Sequence, residues 1–348
     1  MIISTFLILL QSLVNLFGPC GQENEVRNFC QKTLEPLVDE MWVDPAGNLI
    51  GKIYGEDSES QKSIRLVMHM DEISLMVKEI NDNGTLSVLP LGGIYPFSSG
   101  QGPVEILGDN ENIKGILSFG SVHLRKDFFL NLKDVSRENQ WKEAVIITRK
   151  SLDELKKAGI HPGSRIVQAR SRRQLEIFED CIGGYFLDNR AGLATALYAL
   201  KQLKENNQKP KRNVYFIASC TEECGAFTAS YASRVLPGDI TIAIDTCPIV
   251  GGISENPIIV YKDLVAIYDK TISDHLVCLA KELNQDPKYC VVENGGTDAS
   301  LALNRGQSAR SAFIGIPVEN CHGFEVIHKD SIPQCAKLLL QYLLNPEN

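Results

Sequence analysis

The chain has 348 residues, 44% of them apolar and 22% charged, with a formal net charge of −8 at pH 7. That length accommodates one large core plus a second, smaller unit, and the balance is that of a globular protein. The acidic charge argues against a nucleic-acid binder, because no basic excess exists to neutralise phosphates.

The first stretch, "MIISTFLILLQSLVNLFG", is apolar but lacks a basic leader and a small-residue cleavage site. Leu7, Leu10, Leu13, Val14 and Phe17 recur at helical spacing, which predicts a buried helix ending near Gly18-Pro19. Gln11, Ser12 and Asn15 interrupt it, and no long uncharged span follows, so no membrane span is expected. Four short apolar runs read as buried strands: "IRLVMHM" (64–70), "VYFIAS" (214–219), "ITIAID" (240–245) and "AFIGIP" (312–317). Helical patterns occupy 191–205, 271–283 and 331–344, the last with Ser331 as its expected N-cap and Pro333 in its first turn. Alternating strands and helices predict an α/β fold with helices on both faces of the sheet.

Residues 74–178 read differently. Short strand-like pieces are broken by turn signals, with "DNG" (82–84) and "GDNEN" (108–112) expected as hairpin turns. The expected organisation is an α/β catalytic domain from 1–73 and 179–348, with 74–178 inserted as a smaller β-rich domain. The ten cysteines show no CxxC pairing; Cys278 and Cys335 read as small core residues, and scattered free thiols fit a reducing, cytoplasmic setting.

Chemistry clusters at the ends of the apolar runs. The first ends in His69-Met70-Asp71, the second in Glu222-Glu223, the third in Asp245, and the fourth is followed by His322, while Asp188 opens a helix. Loops beyond the carboxyl ends of strands converge in open α/β sheets. Imidazoles and carboxylates are metal donors, and this set over-supplies a single four-coordinate ion. A pair of ions about 3.5–4 Å apart uses it better, with one carboxylate bridging and one left free as a base. Of the remaining histidines, 123, 161, 275 and 328, only His328 rivals His322. "NGGTDAS" (294–300) is open between a turn capped by Thr297 or Asp298 and a substrate contact.

The ordered motifs "HMDEISLMV", "LDNRAG", "TEECG", "NGGTDAS" and "GIPVENCHGFEVI" resemble the tetrahedral (TET) aminopeptidases, the glutamyl or deblocking aminopeptidases whose relatives include "endoglucanase M". The resemblance spans most of the chain. It implies a zinc-peptidase-like fold, a mixed sheet flanked by helices, and a dinuclear peptidase acting on short peptides. One ion would be held by His69, Asp188 and Asp245, the other by Asp188, Glu223 and His322. Glu222 would be the general base, and Asp71 would orient His69. Two divalent ions are implied: zinc first, with cobalt and manganese also suited to these donors. Homo-oligomers built through the β-rich insert are implied as well.

This sequence departs from the family at Glu319-Asn320-Cys321-His322-Gly323-Phe324, where an Arg-Tyr pair is usual before the histidine and Ser-Pro after it, and at Thr221, where Gln is usual. Those departures leave two other uses of the fold in view, deacylation of small N-acyl amino acids and a non-catalytic homologue. A glycosidase would need two carboxylates across a sugar ring and ordinarily no metal, which the histidines argue against.

Overall fold

The computed structural model describes residues 5–57, 62–121, 140–248 and 252–347. Helices Thr5–Asn15 and Asn24–Leu34 lead into strands β1 (Glu40–Val43), β2 (Leu49–Ile53) and β3 (Ile64–His69). Six strands follow: β4 (Ser74–Ile80), β5 (Leu86–Leu91), β6 (Gly102–Leu107), β7 (Ile113–Ser118), β8 (Val145–Ile147) and β9 (Arg165–Gln168). Next come β10 (Glu176–Phe178), β11 (Cys181–Gly184), helix Leu187–Glu205, β12 (Val214–Ser219), helix Phe227–Val235 and β13 (Ile240–Pro248). The chain ends with β14 (Ile258–Lys262), helix Lys270–Glu282, β15 (Lys288–Val291), helix Asp298–Asn304, β16 (Arg310–Val318), β17 (Glu325–His328) and helix Ser331–Leu344.

Eight strands form a mixed sheet in the order β1-β2-β12-β3-β13-β16-β14-β15. Its centre, β12, β3, β13 and β16, is parallel, and every residue of β3 and β12 is buried. Burial on both faces explains why these strands read as largely apolar runs. Successive residues serve opposite layers: Leu66 and Phe216 pack with Leu193, Leu197 and Leu339, while Val67 and Ile217 pack with Ala229 and Ala299. Helix Leu187–Glu205 lies close on β13 because position 192 is glycine; a Cβ there would overlap the Ile244 carbonyl.

Strands β4–β9 close into a barrel in the order β4-β5-β8-β7-β6-β9. Leu75, Val88, Ile106, Leu117, Ile146 and Ile166 fill it, with Trp141 buried among them. The hairpin turns expected at 82–84 and 108–112 join β4 to β5 and β6 to β7.

Three local expectations are corrected. The last helix begins at Ser331, with Asp330 in the cap position, and the Ser331 hydroxyl donates to the Ser254 carbonyl at 3.1 Å. Cys278 is exposed on its helix, whereas Cys335 is buried. Strand β13 continues to Pro248, because β16 keeps pairing with it after β3 stops at Ala243. Among the described residues, no helix is long and apolar enough to cross a membrane.

Candidate metal centre

The parallel ladder carries the donors to one end of the sheet. His69 closes β3 opposite Ser219 of β12, so the turn after Ser219 opens beside it. That turn enters a left-handed residue at Thr221 (φ 54°) and continues as the short 3-10 helix Glu222–Cys224. Asp245 lies in β13 past the point where β3 stops pairing, which leaves its side facing the same space. Asp188 stands in the first turn of helix Leu187–Glu205, joined to Asn189 by a cis peptide. His322 sits in the left-handed region (φ 64°) of the loop between β16 and β17.

All seven residues singled out in the sequence meet here. His69 Nε2 is 3.0 Å from Asp188 Oδ1, 3.8 Å from Asp245 Oδ2 and 4.0 Å from Glu222 Oε2. His322 Nε2 is 3.5 Å from Asp188 Oδ2 and 3.4 Å from Glu223 Oε1. Asp188 thus presents one oxygen to each imidazole. The Asp71 carboxylate lies 3.5 Å from His69 Nδ1 and accepts the backbone N–H groups of Glu222 (2.9 Å) and Glu223 (3.1 Å). It therefore positions both sides of the cluster at once.

The charge balance is lopsided. Burial pushes Glu222 and Asp245 well above the usual carboxylate range, and it raises Glu223. Burial acts on Asp188 in the same direction, yet hydrogen bonds from His322 and His69 hold it well below. His69 is raised well above a free imidazole by Asp245 and Asp188, despite burial; the Glu223 carboxylate first, with Asp188, lifts His322 to about 11. So many acids around two imidazoles stay ionised together only with further positive charge. Divalent metal would supply it. His69, Asp188 and Glu223 bring one donor atom each within 4.8 Å of one another, as do Asp188, Cys321 and His322.

Several contributors were not read from the sequence. Glu325 is buried, accepts the N–H groups of Asp188 and His322 at 3.0 Å each, and is pushed up to about 8 by burial. Its only sequence signal is an acid within the apolar "FEVI". His322 Nδ1 faces the Gly93 carbonyl at 3.1 Å, and a Cβ on Gly93 would lie 2.6 Å from His322 Cε1. Gly92, at φ 77°, leaves room for Glu223 in the same way. The glycine pair in "LPLGG" could have signalled a close backbone approach. Asp298, pushed up by burial to about 7, accepts the Ser219 hydroxyl. Thr297 caps the following helix, as the turn reading expected, and 294–297 also line the cleft.

Behind the centre lies a fully buried triad. Glu72 Oε2 accepts Arg190 Nη2 at 2.7 Å and Arg173 Nη1 at 3.0 Å, and Glu72 Oε1 pairs with Arg173 Nη2. Arg173 also donates to the Leu16 carbonyl at 2.9 Å, and Arg190 donates to the Met70 carbonyl. The triad ties the first helix, the strand end at Met70 and the Asp188 helix together. The rival His328 instead lies 3.4 Å from Asp180. His161 and His275 contact loop and terminal carbonyls, and His123 lies outside the described residues.

A cleft of about 610 Å³ opens over the cluster, lined by Phe97, Thr246, Val292, Leu301, Phe313 and Cys321 among others. The sequence model of the M42 glutamyl aminopeptidase family matches residues 47–338. A lysyl aminopeptidase of Pyrococcus furiosus is 24% identical, with 96% of each chain covered. The structure of an aminopeptidase from Desulfurococcus kamchatkensis superposes with a TM-score of 0.85 at 25% identity, covering 97% of this chain and 94% of the other. That of the Pyrococcus horikoshii TET1 peptidase, which can assemble into a tetrahedron or a large octahedral shell, gives 0.83 at 22%, covering 98% and 100%.

Proposed function

This chain belongs to the M42 glutamyl aminopeptidase family of peptide hydrolases, and on that premise we propose that the acidic cluster is a two-metal centre removing N-terminal residues from short peptides. One ion would be held by His69, Asp188 and Asp245, the other by Asp188, Glu223 and His322. The observation that carries the reading is Asp188, with Oδ1 3.0 Å from one imidazole and Oδ2 3.5 Å from the other. The donor set fits two divalent ions, zinc or else cobalt or manganese, better than one, since two imidazoles and three carboxylates exceed a single tetrahedral shell.

Bound ions would supply an acidified water and a Lewis acid for the scissile carbonyl. Glu222, which lies 4.0 Å from His69 Nε2 and is kept ionised by the bound charge, takes the proton of the attacking water and returns it to the leaving amine. Asp71 holds His69 by its Nδ1 edge and the Glu222-Glu223 turn by its backbone, fixing donor and base relative to each other. Self-association fits the exposed apolar residues Leu89, Ile116 and Ile147 on the barrel, and the ten unpaired cysteines fit a reducing cytoplasm.

The test is Glu222→Gln, assayed with peptides carrying free or blocked amino ends, alongside elemental analysis. Two metals per chain should remain while kcat falls by roughly 10²–10⁴-fold. Full activity in the variant would refute the base, and fewer than two metals in the wild type would refute the pair.

A further inference from the structure

We propose that Cys321 is a sulfur ligand of the ion on the His322 side. The inference rests on the two-metal reading and adds to it a donor of another kind. Cys321 Sγ lies 3.1 Å from Asp188 Oδ2, the oxygen that also faces His322 Nε2 at 3.5 Å. The donor atoms of Asp188, Cys321 and His322 all fall within 4.8 Å of one another. Cys321 also lines the cleft, so an ion arriving there meets the sulfur. Its other polar partner is Thr246 Oγ1, at the longer distance of 3.8 Å.

On binding, the sulfur–metal bond replaces the S–H bond and the proton leaves to solvent; nothing is oxidised or reduced. Asp188, Cys321 and His322 then offer that ion an oxygen, a sulfur and a nitrogen. A thiolate makes the position selective, favouring zinc over manganese or magnesium.

The test is cobalt(II) reconstitution of the full chain, followed by absorption spectroscopy with metal content measured in parallel. A sulfur-to-cobalt charge-transfer band in the near ultraviolet is expected in the wild type and should vanish in Cys321→Ser. The variant's zinc affinity should fall by at least about 10–100-fold, the loss that even an outer-shell partner costs. Two cobalt ions per chain without the band would overturn the ligand while leaving the two-metal reading standing. Failure to bind metal at all would overturn both. A band that persists in Cys321→Ser would assign it to another cysteine and equally overturn the proposal. Alkylation mapped by mass spectrometry gives a check that needs no variant: Cys321 should be modified in the metal-free protein and protected by cobalt. Equal rates in the two forms would refute the bond.

Discussion

Glu72 is the most informative residue to perturb. Its carboxylate faces two guanidinium groups, Arg173 and Arg190, and all three side chains are 0% exposed. The triad therefore carries one net positive charge, and Glu72→Gln would leave two in a volume that water does not reach. Breaking a buried pair by removing one partner costs about 3–5 kcal/mol. At ~1.4 kcal/mol per decade, that raises the unfolding constant by roughly 10²–10⁴-fold. The same charge change at Glu40, whose partner Lys52 lies 3.1 Å away at the surface, should cost about 0–1 kcal/mol. Urea unfolding followed by circular dichroism, with protein concentration held fixed because assembly would add stability, compares the two variants. A Glu72→Gln loss no larger than that of Glu40→Gln would refute the reasoning. Because Glu72 follows Asp71 and Arg190 lies two residues after Asp188, the variant should also bind zinc more weakly.

Gly93→Ala should displace His322, lowering metal affinity by about 10–100-fold while leaving the unfolding midpoint of the metal-free protein nearly unchanged; equilibrium dialysis reads the first and melting the second. Among the described residues lining the cleft there is no lysine or arginine, but there are Val292, Leu301 and Phe313. Peptides with a neutral apolar first residue should thus be cleaved at least about tenfold faster than those beginning with Glu, a difference of ~1.4 kcal/mol; a preference for Glu would contradict this. Asp269 caps helix Lys270–Glu282 through the Ile272 N–H, and a hydrogen bond from Arg310 at 2.8 Å holds its carboxyl below the usual range. The stabilisation from such a depressed acid is present above its unfolded pKa and is lost as pH falls through the folded value. The melting difference between wild type and Asp269→Asn should therefore be full at neutral pH and shrink as pH falls below about 4.

The central strands were legible because burial on both faces keeps the runs mostly apolar, as in "VYFIA", with Arg65 and Thr241 among the few buried polar exceptions. Strands β14 and β15 were not: both are short, and β15, at the sheet edge, is exposed, with Tyr289 and Val291 facing solvent. Barrel closure was hidden for another reason: Leu75 of β4 pairs with Ile166 of β9 across a long stretch of chain, and no local pattern encodes that register. Donors at strand ends could be found because a polar residue ending an apolar run has a visible cause. Glu325, Cys321 and the Glu72 triad act through partners distant in sequence, so their local context is that of ordinary core or loop residues.

The glycine pair after β5 has a consequence for dissecting the molecule. Gly92 and Gly93 come off a barrel strand, yet Gly93 holds His322 and Gly92 borders Glu223. A chain cut at 73 and 178 and rejoined by a linker would keep every candidate ligand and lose the wall that two of them lean against, together with Arg173 of the Glu72 triad. Such a minimal enzyme would fold around a loosened centre. The barrel is thus no detachable accessory: its glycine turn abuts the Glu223–His322 edge, and Arg173, on the return from the insert, pairs with Glu72 behind it.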